Sequence, residues 1–270
     1  MTSIKRSVAD LAGRLIGAHI VPPHRIGRFY EQEQIRRIFA AFDIDCVFDV
    51  GANAGQYARM LRKDLGYLGK IISFEPIPAL ATRLGRLAAS DPNWHVCALA
   101  LDRRSGSTRF KVMNDTQFSS LHSPSHLGEE LFADGLKVSE EIDIEAATLE
   151  SEFHRWRGRL GFRRPYLKLD TQGHDLAISE GAGNAISEFV AIQSEAAIHK
   201  IYDGVPDLAE SIAAFGKAGF ELSAFVPNNE GVFPVLVETD CLFINAAYLH
   251  IVHSDVARDV TVFERSVPAS

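Results

Sequence analysis

Cys46-Val47-Phe48-Asp49-Val50-Gly51-Ala52-Asn53-Ala54-Gly55-Gln56-Tyr57 is the stretch whose reading decides the fold. Residues 46–50 form a short, mostly apolar run with β-preferring Val and Phe, as a central parallel strand requires. Gly51 and Gly55 bracket a turn, where glycine admits unusual dihedrals and lets a ligand approach the backbone. From Gln56 the period becomes helical, with Tyr57, Met60 and Leu61 spaced by three and four. Strand, glycine turn and helix start make the first crossover of an open α/β sheet. Such a turn is expected to offer backbone N–H groups to a ligand outside the carboxyl ends of the strands.

A dinucleotide fingerprint needs Gly-x-Gly-x-x-Gly, its second glycine clearing space for a pyrophosphate. Here the run is Gly51-Ala52-Asn53-Ala54-Gly55, and that second glycine is absent. The next strand, residues 70–74, ends in Glu75-Pro76, so Glu75 stands where a carboxylate accepts hydrogen bonds from a ribose diol. A ribose without a pyrophosphate is what S-adenosylmethionine presents. The bland alternative is a plain tight turn beside a solvated strand end.

Outward from this core, strand and helix alternate over residues 45–105: 46–50, 56–65, 70–74, 79–89 and 94–99. Alternation of this kind builds a parallel sheet with crossover helices, so the fold class is α/β. Residues 107–113 and 138–144 alternate in polarity and read as antiparallel strands within an insertion spanning 106–160. The polar loop between them holds Ser119, Ser120, His122 and His126. Residues 150–156 read as a short surface helix. Arg155, Arg157, Arg159, Arg163 and Arg164 read as a solvated basic run, open to an anionic group on a substrate. The second half adds a strand at 166–169 ending at Asp170, a helix start through Thr171–His174, and a strand at 189–193 running to Glu195. A helix at 208–218 follows, capped by Asp207. A final hairpin pairs 220–226 with 238–244.

Before residue 45 lies an N-terminal helical arm, residues 1–44. Ile4, Val8, Leu11, Leu15 and Ile16 share one helical face, interrupted along the chain by Asp10 and Arg14. That face suits packing on the domain, a homodimer contact, or a membrane surface, but not a span. A second helix runs over 26–42 with Phe29, Ile35, Ile38 and Phe39 inward. The C-terminal tail, 251–270, is weakly patterned. Of 270 residues 46% are hydrophobic and 23% charged, and the net charge is −7. That balance supports one sizeable core and lacks the basic footprint of a nucleic-acid binder. Cys46, Cys97 and Cys241 are far apart in sequence and read as buried reduced thiols of a cytoplasmic protein.

Residues 49–55, with Phe74-Glu75-Pro76, resemble the FkbM-type methyltransferases. So do Leu167-Lys168-Leu169-Asp170-Thr171-Gln172-Gly173-His174-Asp175, Gln193-Ser194-Glu195 and Thr239-Asp240-Cys241-Leu242-Phe243. Gln172 departs from the pattern, because many members carry Glu there. The resemblance implies a methyltransferase domain at 45–250 with a class I, Rossmann-like sheet whose last strand is antiparallel. It implies S-adenosyl-L-methionine as cofactor and O-methylation of a hydroxyl on a sugar, glycolipid or other secondary metabolite. It places Ala98 against the adenine, a Ser119 or Ser120 contact in the insertion loop, and the N-terminal helices over the substrate side.

The candidate cofactor residues are therefore Asp49, Gly51, Asn53, Gly55, Glu75, Pro76, Ala98, Ser119 and Asp170. Ser120, His199 and Tyr202 are candidates for the small-molecule or glycan acceptor. A hydroxyl needs help in losing its proton. His174 is the first choice of base because imidazole titrates near neutrality, with Asp170 and Glu195 beside it. Asp170 and Glu195 are also hard oxygen ligands suited to Mg²⁺, and the metal question stays open here. Two rival readings remain: a non-catalytic cofactor-binding regulatory module, and an NAD(P)-dependent oxidoreductase.

Overall fold

The computed structural model describes residues 21–22, 25–228 and 234–250. The apolar stripe of residues 4–16, with its membrane and dimer readings, and the C-terminal tail lie outside the described residues.

A seven-stranded sheet forms the centre, in the order β3-β2-β1-β7-β8-β10-β9. Its strands are β1 (Cys46–Val50), β2 (Lys70–Phe74), β3 (Trp94–Cys97), β7 (Pro165–Leu169), β8 (Ala191–Ala197), β9 (Phe220–Asn228) and β10 (Glu238–Asn245). β10 runs antiparallel to both β8 and β9, while β1, β2, β3, β7 and β8 pair in parallel. β4 (Ala100–Leu101), β5 (Gly106–Met113) and β6 (Val138–Ala147) make a second, three-stranded sheet, with β5 and β6 antiparallel as their alternation requires. The helices are α1 (Ile26–Phe42), α2 (Gln56–Lys63), α3 (Pro78–Ala88), α4 (His126–Phe132), α5 (Leu149–Leu160), α6 (Asp175–Glu180) and α7 (Leu208–Lys217).

The central strands are buried on both faces, which is why they read as apolar runs. On one face Phe48 packs against Phe74, Phe153, Phe162 and Phe189 with ring centroids 5.3–6.0 Å apart. On the other, Val47, Ile71, Tyr166 and Leu242 meet Ile35, Ile38 and Phe42 of α1 and Ala58 and Leu61 of α2. Cys46, Cys97 and Cys241 are free, buried thiols. Asp207 caps α7 through a full capping box with Glu210.

Four expectations need correction. β3 ends at Cys97, whose carbonyl accepts the Glu75 N–H. Beyond it the chain leaves the large sheet, and Ala100–Leu101 pair with β6 instead. Helix α4 was not expected; the Ser125 side chain caps it by accepting from the Gly128 N–H. Helix α5 belongs to the core rather than the surface, because Leu149, Phe153 and Trp156 are all buried on it. Nor does the basic run border the cavity described below: Arg155 and Arg157 pair with Glu152 and Glu188, and the Arg163 and Arg164 amides donate to the Asp45 carboxylate at the amino end of the sheet.

Candidate functional site

Strand order reverses between β1 and β7, since the chain builds β2 and β3 on one side of β1 and β7 onward on the other. Ligands of open α/β sheets lodge at that switch point. A cavity of about 690 Å³ opens there, at the carboxyl edge. One half is bordered by Gly51, Asn53, Glu75, Pro76, Leu99 and Phe110, the other by Glu31, Asp170, Gln193, Glu195, Glu238 and Asp240.

Gly51 has φ +79°, and a Cβ built on it would lie 1.9 Å from the Asp170 carbonyl oxygen. The two turns that form the switch point therefore touch through this glycine. Gly51→Ala is expected to lower stability by about 2–5 kcal/mol, combining a left-handed backbone with overpacking. Calorimetric unfolding checks this, and an unchanged Tm would contradict the contact. The turn amides are largely satisfied within the protein, contrary to the expectation of open donors. Gly51 and Ala52 donate to the Phe74 carbonyl, and Gly55 to that of Ala52. Asn53, with φ +46°, donates its N–H to Glu75 Oε2 at 2.7 Å. Ile77 donates to Glu75 Oε1 at 2.9 Å. Glu75 is 3% exposed, and burial pushes its carboxyl up to about 7.

Two expected cofactor residues do structural work instead. Asp49 lies beneath the cavity floor, where its Oδ2 accepts from the Ser73 hydroxyl at 2.9 Å and its Oδ1 has no partner. Burial pushes that carboxyl up to about 6. Gly55 packs away from the cavity, because a Cβ there would meet Leu84 and Trp94. Ala98 is exposed and off the cavity, and Leu99 borders it in its place.

In the insertion loop Ser119 borders the cavity, its hydroxyl accepting from the Met113 N–H. Ser120 is buried and ties the loop to the β7 turn by donating to the Gln172 carbonyl at 2.9 Å. Tyr202 is buried behind the wall, its Oη 2.7 Å from the Phe118 carbonyl and 2.9 Å from Gln172 Oε1. His199 is exposed and away from the cavity. Ser120, Tyr202 and His199 thus do not border the cavity.

His174 borders the cavity, but both ring nitrogens are engaged. Nε2 lies 2.7 Å from Asp102 Oδ1 and Nδ1 lies 3.2 Å from His122 Nε2. An ionised carboxylate only accepts, so Nε2 carries a proton, and one proton is shared between the two imidazoles. No lone pair is left for an acceptor hydroxyl, which is why the base role expected of His174 does not fit this geometry. Sequence reading had missed Asp102 and given His122 no role.

The far half of the cavity is acidic. Gln172 Nε2 bridges two carboxylates, 3.3 Å from Asp170 Oδ1 and 2.8 Å from Glu195 Oε2, a service that Glu at this position could not perform. Below them Ser73, Asp49, Lys168 and Gln193 align in register across four strands. Gln193 accepts from the Tyr57 and Tyr166 hydroxyls and donates to Glu31 and Asp240. Helix α1 thereby delivers Glu31 to the cavity. Burial, then the Asp170 and Asp240 charges, push the Glu238 carboxyl up to about 8. Burial, then Glu31, raise Asp240 to about 7. Burial, then Glu238, raise Glu195 as well. Lys168, Gln193, Glu238 and Asp240 had escaped attention as site residues; the signal available was a charge or amide inside an otherwise apolar strand. Among the described residues no group of three or more His, Cys, Asp or Glu side chains could hold a metal ion.

The strand order and the cavity at its switch point define a class I methyltransferase fold. The chain belongs to the FkbM methyltransferase family: the model described as "Methyltransferase FkbM domain" matches residues 49–222. No curated protein matches the sequence. Similar solved structures include magnesium protoporphyrin IX methyltransferase (ChlM) from Synechocystis PCC 6803 with bound SAM, 10% identical with TM-score 0.43 over 91% of this chain and 98% of that one. Aeropyrum pernix fibrillarin with natively bound S-adenosyl-L-methionine is 11% identical, with TM-score 0.42 over 80% of this chain and 74% of that one. The 23S rRNA methyltransferase ErmE is 14% identical, with TM-score 0.37 over 79% and 67%.

Proposed function

We propose that this protein transfers a methyl group from S-adenosylmethionine to a hydroxyl of a small-molecule or glycan acceptor. The observation that carries the reading is Glu75: a buried carboxylate beside the Gly51 turn, each oxygen taking one backbone N–H and keeping lone-pair capacity toward the cavity. That is the acceptor set a ribose diol needs. Asn53 occupies the position that a dinucleotide fold gives to glycine, and its N–H is committed to Glu75, which disfavours a pyrophosphate.

When bound, S-adenosylmethionine supplies an already activated methyl group. Glu75, Gly51, Asn53 and Pro76 would hold its adenosine half, and Asp170 would face its charged amino-acid half. The chain's remaining task is to orient an acceptor oxygen and remove its proton. Among the described residues no hydrogen bond reaches the Glu238 side chain, which borders the acidic half of the cavity, so Glu238 is assigned as the base. In this reading the carboxylates there disfavour a polyanionic acceptor such as nucleic acid. The test is incubation of purified protein and labelled S-adenosylmethionine with a cell extract. A labelled product with a new O-methyl group by mass fragmentation supports the reading; label on nitrogen, or none despite cofactor binding, refutes it.

A further inference from the structure

Lys168 stands in the middle of β7, a strand whose five residues are all buried. Its side chain is 6% exposed, yet it borders the cavity floor. The ammonium donates to Asp170 Oδ2 and lies 5.4 Å from the centre of the Tyr57 ring. In register with it stand Asp49 on β1 and Gln193 on β8. Five of the elements packed around the floor add an acid: Glu31 from α1, Asp49 from β1, Asp170 from the end of β7, Glu195 from β8, and Glu238 and Asp240 from β10, while α2 adds the Tyr57 ring. Among the described residues, Arg28 is the other permanently charged base on the lining; its side chain is 57% exposed and lies 3.8 Å from Asp64. One buried ammonium therefore stands against the charges of Asp170, Asp49, Asp240 and Glu195, from four strands. Burial pushes its titration down, but Asp170, Asp49 and Asp240 outweigh that and hold the ammonium above the usual lysine range. The dependence is mutual. Without the ammonium the Asp49 and Asp240 carboxyls would be pushed up further.

Resting on the methyltransferase reading, we propose that Lys168 is a positioning residue that acts through Asp170 and Asp240, aiming the first into the cavity and holding the second as an anion beside it, so that the cavity accepts a cationic methyl donor. Neither Lys168 nor the row it belongs to need touch the donor for this.

The probes are S-adenosylmethionine and S-adenosylhomocysteine, which differ by one methyl group and one positive charge. Their affinity ratio cancels contributions from the adenosine end, Glu75 included. Calorimetric titrations from about pH 6 to 9 give that ratio for the wild type, Lys168→Met and Lys168→Arg. The ratio is expected to rise with pH as the acids ionise. In Lys168→Met the midpoint of that rise moves up by about one unit or more, roughly a tenfold loss at the wild-type midpoint, and Lys168→Arg restores it. A packing role would instead weaken both ligands equally at every pH, and that result, or an unmoved midpoint, overturns the proposal. Should Lys168→Met fail to fold, Asp170→Asn at the cavity surface decides: loss of the charge preference supports the proposal and an unaltered ratio sinks it. A wild type that binds neither ligand refutes the methyltransferase reading itself, which is a distinct outcome.

Discussion

Glu75→Ala is expected to weaken S-adenosylmethionine binding by about two to three orders of magnitude. Hydrogen bonds to an ionised group contribute roughly 1.5–3 kcal/mol each, and a ribose diol would make two. Only the ionised carboxylate accepts both. Because burial holds the Glu75 carboxyl near 7, wild-type affinity should fall as pH drops below about 7 and level off above it. In Glu75→Gln that pH dependence should vanish along with most of the affinity. The stability linkage has the opposite sign. With a folded-state value raised from 4.5 to about 7, the native protein keeps this proton longer than the unfolded chain does. The resulting stabilisation is present below about pH 4.5 and lost as pH rises through about 7. Glu75 also orders the turn through the Asn53 and Ile77 amides, so unfolding scans of the variant must accompany the titration. A folded Glu75→Ala protein with wild-type affinity would remove the ribose assignment.

How much of this was readable beforehand depended on whether the signal was local. Strands β1 and β2 and helix α1 have the bounds expected from sequence, because each is a periodic run closed by a breaker or a change of period. The Asp207 cap and the reversed last strand were likewise legible, the first from local chemistry and the second from family resemblance. Glu75 and Gly51 were identified as a pair because turn and strand end lie close in sequence. Two-residue β4 carries no period at all, so the second sheet surfaced only as a hairpin. Asp49, Lys168 and Gln193 share one face only when β1, β7 and β8 are laid side by side, and strand order is not written in any one strand. His174 failed as a base for a similar reason: Asp102 and His122, each at least 52 residues away, occupy its nitrogens. Residue type and neighbourhood indicated what these side chains could do, while distant partners decided what they were left free to do.

The second large effect concerns Glu238. Glu238→Gln is expected to lower kcat by about two to four orders of magnitude, the usual contribution of a positioned general base, once the labelled-product experiment has supplied an acceptor. S-adenosylmethionine affinity should change by less than about threefold, since the carboxyl lies in the half of the cavity away from Glu75. The pH profile gives the sharper test. A base works only when deprotonated, and burial with the nearby Asp170 and Asp240 charges holds Glu238 near 8. Wild-type kcat should therefore climb with pH through about 8 and flatten beyond it, while the glutamine variant should show a low rate without that limb. Glu195→Gln separates the base from its neighbour. Glu195 is raised by burial and by the Glu238 charge, whereas Glu238 itself is raised by burial, Asp170, Asp240 and Asp175, so the limb should stay near 8 while most of the rate survives. If instead Glu195→Gln abolishes turnover and Glu238→Gln preserves it, the proton goes to the β8 carboxylate, and the assignment of Glu238 fails.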